Sequence, residues 1–260
     1  MTGLRVAVFN LVFYAVTFVW AMYIAIACRF VSADSARAKI ARWCRWVQWW
    51  VRAALGGRIE VRGAENIPEG PYVIAPKHQS ELDVCVIFGR HSDCGAVVMK
   101  ELADLPFLGK LIEKLDLIAV SVEHGPQGLT DMIRDGARRV AGRGRPILIY
   151  PEGELMALGA RARYRTGVFN IYDAAQIPVV PVAQSLGAIW PKREWRKKPG
   201  RTGAIRYLPP IPPGLAKEEF MARLESDIEE ATMALIREHA SDADLVAAED
   251  RYARKAGNEG

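Results

Sequence analysis

Between Val6 and Cys28 the chain is almost uninterrupted apolar sequence, with only Asn10 and Thr17 polar among the non-aromatic residues. At a helical rise of ~1.5 Å per residue this run extends about 34 Å, enough to cross a bilayer. It reads as a membrane anchor that either spans the bilayer or lies in one leaflet. No small-residue cleavage site with a secreted-type domain follows, which disfavours a signal peptide. Residues 1–60 carry eight Lys and Arg against two acidic side chains, while the whole 260-residue chain has a net charge of only +5. These basic residues lie heavily C-terminal to the apolar run, which predicts a following domain on the cytoplasmic side of the membrane. Basic sequence beside apolar sequence also points to an anionic membrane surface as partner, and not to nucleic acid.

Ser35–Leu55 predicts a second helix of a different kind. Ala36, Ile40, Trp43, Val47, Trp50 and Val51 recur at three- and four-residue steps, flanked by Arg37, Arg42, Arg45 and Arg52. Trp43, Trp46, Trp49 and Trp50 favour the headgroup level of a bilayer, so an interfacial helix is the preferred reading. The other reading is a core helix packed against the domain that follows. Gly56-Gly57 ends it.

From Arg58 onward strands and helices alternate. Arg58–Arg62, Tyr72–Ala75, Ala96–Met99, Leu117–Val122, Pro146–Tyr150, Ile177–Ala183 and Gly203–Leu208 predict strands. Leu82–Phe88, Pro106–Leu115, Gln127–Ala141, Thr166–Ala175 and Lys217–His239 predict helices. The pattern implies an α/β domain built on a mostly parallel sheet flanked by helices. The expected organisation is an anchor over residues 1–57, a catalytic domain over 58–240 and a flexible tail over 241–260. Cys28, Cys44, Cys85 and Cys94 have no C-x-x-C spacing, and no His cluster has metal-ligand spacing, so reduced thiols and no metal are expected.

The stretch that organises the rest is Lys77-His78-Gln79-Ser80-Glu81-Leu82-Asp83. It follows an apolar strand, and Ser80 reads as the N-cap of a helix. In a continuous helix His78 and Asp83 would lie roughly 140° apart. They meet only if His78 sits in the turn and Asp83 in the first helical turn. There the carboxylate can hold one ring nitrogen and leave the other basic, which makes a general base without a serine or cysteine nucleophile. A bare H-x4-D is a weak signal by itself.

His78-Gln79-Ser80-x-x-Asp83, Tyr150-Pro151-Glu152-Gly153 and Ile177-Pro178-Val179-Val180-Pro181-Val182-Ala183 occur in this order. Together they resemble the glycerolipid acyltransferase family, nearest to its bacterial 1-acylglycerol-3-phosphate members, from about Arg58 to about His239. The resemblance implies direct transfer of a fatty acyl group from a thioester, acyl-CoA or acyl-carrier protein, to the hydroxyl of a lysolipid, with no bound cofactor. His78 would take the hydroxyl proton and Asp83 would orient it. Backbone N–H groups at the helix start or in the Glu152-Gly153 turn would bind the oxyanion. Glu152 and Gly153 would lie beside the acceptor, and Lys100 would lie near its phosphate. Two departures bear on the acceptor. Glu154-Leu155 stands where the family usually has Thr-Arg, and Ser121-Val122 stands where it usually has Asp-Arg. Those arginines hold the acceptor phosphate, a task suited to a guanidinium. Either Lys77, Lys100, Arg161, Arg163 or Arg165 has taken over, or the acceptor lacks a phosphomonoester, as a lyso-ornithine lipid does. A non-catalytic lipid-binding relative is a third possibility. Trp190–Lys198 forms a basic loop suited to headgroups, coenzyme A phosphates or an acidic carrier protein.

Overall fold

The computed structural model describes residues 2–102, 108–123 and 125–254. Two helices, α1 (Thr2–Ala27) and α2 (Ala33–Leu55), precede an alternating series. That series runs β1 (Arg58–Arg62), β2 (Val73–Pro76), α3 (Glu81–Arg90), β3 (Gly95–Met99), α4 (Leu108–Leu115), β4 (Ile118–Val120), α5 (Gly125–Ala141) and β5 (Ile147–Leu148). It continues with α6 (Gly167–Ala175), β6 (Val179–Gln184), β7 (Thr202–Tyr207), α7 (Lys217–His239) and α8 (Asp242–Ala253). The seven strands form one sheet in the order β1-β7-β6-β2-β5-β3-β4. The expected strands are all present; Pro106 and Phe107, expected to begin the fourth helix, lie outside the described residues.

β6, β2, β5, β3 and β4 run parallel, and β7 pairs antiparallel with β6. Parallel strands need crossover helices, which cover both faces and explain why β2 and β6 are buried throughout and apolar except for Gln184 at the end of β6. Along β2 the side chains alternate. Ile74 joins the core under α2 and α3, and Val73 and Ala75 join the core under α5, α6 and α7. All five parallel strands therefore end on one edge of the sheet. The residues after β2, β5, β3, β4 and β6 are His78, Pro151–Gly153, Lys100, Val122 and Ser185, which gathers the dispersed motifs in one place.

The Trp-rich helix differs from the preferred expectation. α2 buries Ala36, Ala41, Cys44, Val47, Val51 and Leu55. It lies close on α3: Gln48 Nε2 donates to the Cys85 carbonyl at 3.0 Å, and a Cβ on Gly89 would meet Gln48 Nε2 at 2.7 Å. Trp43, Trp46 and Trp50 pack partly buried against the same core, and Trp49 alone of the four is largely exposed. The core-helix reading describes this face, so the expected boundary at residue 57 cuts through a packed layer. Indoles satisfy a headgroup layer and a core equally well; Arg42, Arg45 and Arg52 occupy the outer face, while Arg37 is mostly buried and donates to the Leu115 carbonyl at 3.3 Å. Gly56, at φ 66°, supplies the left-handed cap that ends the helix.

α1 is docked on the same layer by one stripe. Phe9 is fully buried, with Trp50 stacked at 6.4 Å and Trp190 edge-on at 5.5 Å between ring centres. Asn10, buried in the apolar run, donates from Nδ2 to the Trp195 carbonyl at 2.9 Å. The other side of α1 exposes Leu4, Leu11, Phe18, Val19 and Ile26. The loop around Trp190–Lys198 is thereby tied down. Lys197 lies 4.4 Å from the Trp190 ring centre, and Lys198 pairs with Asp244 at 2.6 Å. Only part of the expected basic loop faces outward.

The expected flexible tail is also corrected. Ser241 caps α8, whose Ala248 packs with Leu158, Met233 and Ile236. A Cβ on Gly159 would come within 2.3 Å of the Ala248 carbonyl oxygen, so the two segments touch through backbone. The charged composition concealed a short apolar stripe. Residues 255–260 lie outside the described residues.

His91 illustrates how the core is wired. Its Nδ1 faces the Tyr72 hydroxyl at 3.0 Å and its Nε2 the Tyr207 hydroxyl at 2.8 Å. Burial lowers its pKa to about 4, against the opposing pull of Asp93. The unfolded chain protonates this ring below about 6.5, the folded chain only below about 4. Stability from this group therefore falls as pH drops through that window, by on the order of 3 kcal/mol at ~1.4 kcal/mol per tenfold in proton affinity. Denaturant titrations at both ends of the window should show this loss in the native chain and a flatter response in His91→Gln.

Candidate active site

The chain leaves β2 at Pro76, crosses four residues and enters α3 at Glu81. Ser80 caps that helix: its Oγ accepts from Leu82 N at 3.1 Å, while Asp83 reaches back to Ser80 N at 3.2 Å. This capping box turns the Asp83 side chain toward the preceding turn. There His78 Nδ1 donates to Asp83 Oδ2 at 2.9 Å. The expected geometry, His78 in the turn and Asp83 in the first helical turn, is realised.

Asp83 is held from every side. Oδ2 also accepts from Gln79 N at 3.1 Å and from Gln184 Nε2, at the end of β6, at 2.7 Å. Oδ1 accepts from the Tyr150 hydroxyl at 3.2 Å. Gln184 Nε2 also reaches the Lys77 carbonyl. The Tyr150 ring stacks on the His78 imidazole at 3.9 Å, fixing its plane. Burial, reinforced by the Asp83 charge, pushes the Tyr150 phenol well above its usual range, so it remains a donor. With Nδ1 protonated toward Asp83, the His78 Nε2 lone pair is free to take a proton. The His78 side chain is 19% exposed against 1% for Asp83, so the ring is reachable from outside and the carboxylate is not.

Glu152, expected to lie beside the acceptor, turns its side chain into the core. It is buried, with Oε2 accepting the His78 backbone N–H at 3.0 Å and Oε1 bonded to Lys77 Nζ at 2.7 Å. Burial raises its pKa to about 7, against the opposing charge of Lys77. Lys77 is likewise corrected as a phosphate ligand. It is fully buried, and its ammonium is consumed by Glu152, by Glu229 of α7 at 2.6 Å and by the Ala160 carbonyl at 2.9 Å. A side chain with all three donors inside the core has none for a substrate.

Gly153 stands exposed at φ 71°, and a Cβ there would sit 2.5 Å from Arg165 Nε. Arg165 is thus laid over the turn, its Nε donating to the Glu152 carbonyl at 3.3 Å. Arg161 instead pairs with Glu225 at 3.6 Å and covers the Tyr252 ring. Arg163 is exposed, as is Lys100 at the end of β3 on the same sheet edge. The amides expected to bind an oxyanion are partly spoken for. Gln79 N, Ser80 N and Leu82 N bond to side chains of the motif, Asp83 N to the Ser80 carbonyl, and Gly153 N to the Tyr150 carbonyl. Gln184, Glu229 and Tyr164 were missed as site residues, and no spacing rule connects them to His78. The His and carboxylate cluster with metal-ligand spacing among the described residues is Glu60, Glu238 and His239. It lies on β1 and the end of α7, and Arg62 bonds to both its carboxylates.

A family model described as Acyltransferase matches residues 58–185. The 1-acyl-sn-glycerol-3-phosphate acyltransferase of Pseudomonas aeruginosa is 33% identical over 201 residues, 76% of this chain and 77% of that protein. The human 1-acyl-sn-glycerol-3-phosphate acyltransferase alpha is 27% identical over 199 residues, 74% of this chain and 68% of that protein. The crystal structure of the 1-acyl-sn-glycerophosphate (LPA) acyltransferase PlsC from Thermotoga maritima superposes with a TM-score of 0.72 at 20% identity, covering 90% of this chain and 98% of that one. The protein is therefore an enzyme of acyl transfer. The chain belongs to the glycerolipid acyltransferase family, with the 1-acylglycerol-3-phosphate acyltransferases as its relatives.

Replacing Asp83 by Asn removes the charge that sets the His78 tautomer. Acyl transfer by Asp83→Asn should fall at least ~10²-fold, in a protein whose circular dichroism remains native.

Proposed function

We propose that this enzyme transfers a fatty acyl group from acyl-CoA or acyl-carrier protein to 1-acylglycerol-3-phosphate, giving phosphatidic acid at the cytoplasmic face of the membrane. The observation that carries this reading is the His78–Asp83 pair, with Nδ1 held at 2.9 Å and the ring edge reachable from outside. His78 Nε2 removes the proton of the acceptor hydroxyl as its oxygen attacks the thioester carbonyl. The tetrahedral intermediate then expels the thiolate, which recovers the proton from the imidazolium. No acyl-protein bond forms, and no bound cofactor takes part.

Arg165 is the best placed of the basic residues to meet the acceptor phosphate. It is exposed and lies over Gly153, beside the position where Leu155 replaces the family's arginine. Lys100 shares the sheet edge. The competing acceptor, a lysolipid without a phosphomonoester, is favoured by Glu154 and Val122, an exposed acid and an exposed apolar side chain at this edge. Purified protein given lysolipids that differ only in headgroup separates the two. Preference for lysophosphatidate, with KM raised at least ~5-fold in Arg165→Gln, supports the phosphate reading. Preference for a headgroup without phosphate overturns it. His78→Ala should lose at least ~10²-fold in rate on any acceptor.

The exposed face of α1, with Leu11 and Phe18, is the surface we assign to the bilayer. Its opposite stripe is occupied by Phe9 and Asn10, so the helix lies along the membrane with one side on protein. Leu11→Asp with Phe18→Asp should weaken binding to anionic vesicles at least ~10-fold in flotation assays while leaving the fold intact.

A further inference from the structure

Lys77, Glu152 and Glu229 form a fully interior ion triad whose members come from three separate parts of the chain. Lys77 Nζ has three N–H donors and meets three acceptors: Glu152 Oε1 at 2.7 Å, Glu229 Oε1 at 2.6 Å and the Ala160 carbonyl at 2.9 Å. Glu229 Oε1 also accepts from the Tyr164 hydroxyl at 3.0 Å. The side chains of Lys77, Glu152 and Glu229 are 0%, 0% and 3% exposed. With both carboxyl groups ionised, one ammonium would leave one negative charge uncompensated in the interior, and burial of that charge raises the pKa of Glu152 to about 7. Burial pushes the Tyr164 phenol well above its usual range, so it serves as a neutral donor to that charge.

For stability alone such a triad is a poor choice, because apolar side chains of similar volume commonly do as well or better in its place. What it does achieve is visible at its open end. Glu152 Oε2 accepts the backbone N–H of His78 at 3.0 Å, so the triad grips the peptide that carries the imidazole. Asp83 grips the ring of the same residue from the other side, at Nδ1. His78 is therefore held on its ring by Asp83 and on its backbone at both ends of the residue, the N–H by Glu152 and the carbonyl by the Met156 N–H at 2.6 Å.

We infer that Glu229 and Lys77 are positioning residues for acyl transfer, acting through Glu152 to hold the His78 peptide in place. This assignment rests on His78 being the base. α7 thereby contributes to the reaction from the far side of the core. α8 supports the same arrangement, because it packs on Leu158 and Gly159 beside the Ala160 carbonyl.

Two variants test this against a purely structural role. Glu229→Gln keeps the shape and leaves Lys77 with a single carboxylate. The double variant Lys77→Met, Glu229→Leu replaces one ion pair with apolar volume, and without the Lys77 charge the buried Glu152 takes up a proton, so no bare charge is stranded while its Oε2 can still face the His78 N–H. The double variant should keep its Tm within a few degrees of the native protein, while kcat falls at least ~10-fold and acceptor KM stays within about 2-fold. Glu229→Gln should lose kcat in the same sense. A double variant with native kcat would overturn the inference, because the base then needs no triad behind the Glu152 grip on its N–H. A double variant that fails to fold would also overturn it, because the triad's work is then stability. His78→Ala assayed alongside separates the two levels. If it retains activity, the assignment of the base fails first. If it is inactive while the double variant turns over normally, only the positioning role fails.

Discussion

The site depends on one buried carboxylate. Asp83 collects the His78 ring, two backbone amides, the Gln184 amide and the Tyr150 hydroxyl. A carboxylate removed from water is tolerable only when its lone pairs are met by donors, and here they come from the helix cap and from two other strand ends. The same bonds that make the charge acceptable also define its direction. Ser80 starts the helix one residue before Glu81, the cap brings Asp83 back over the turn, and the turn places His78 where the carboxylate points. Moving the helix start by one residue would rotate Asp83 by about 100° and separate the pair.

Much of this was legible in the sequence because it is local. The Tyr72–Ala75 run, the Ser80 cap and the H-x4-D spacing lie within a dozen residues, and local hydrogen bonding decides their geometry. The parallel sheet was legible for a similar reason, since apolar runs alternating with amphipathic ones admit few arrangements. The partners of the turn were not legible. Gln184 and Glu229 are distant in the chain from the residues they hold, and a glutamate within α7 reads as a solvated face until the fold places Lys77 opposite it. Lys77 carried the same ambiguity. Beside a catalytic histidine, a cation suggests a phosphate ligand, and only its complete burial reverses that reading. The tryptophans of α2 misled for another reason: an amphipathic ring satisfies an interface and a core by the same chemistry.

The two sides of the site differ in how they can change. His78 and its supports are enclosed by β2, β5, β6, α3 and α7, where the atoms that hold His78 and Asp83 are bonded in a connected set and a single substitution strands another. The acceptor side is made of exposed positions at strand ends, including Lys100, Val122, Gly153, Glu154 and Arg165. Substitution there disturbs no buried bond apart from the Arg165 contact with the Glu152 carbonyl. Loss of the family's two arginines at Val122 and Leu155 is thus compatible with an intact dyad. On the proposed function, headgroup preference would belong to the exposed layer and bond-making to the buried one. Retaining the chemistry therefore says little about which headgroup the enzyme accepts.

The anchor adds a constraint of its own. Phe9 and Asn10 attach α1 to Trp50, Trp190 and the Trp195 carbonyl, and the Arg193 N–H continues from that loop to Glu81, the first residue of α3, at 2.9 Å. The apolar helix α1 and the helix carrying Asp83 are therefore joined through one short loop. On the proposed function, an acceptor held in the membrane would have to reach a base standing at a fixed height above it. A floating anchor on a flexible linker would leave that height to chance. A docked one sets it by the same packing that builds the core, which accounts for buried polar contacts in an otherwise apolar helix.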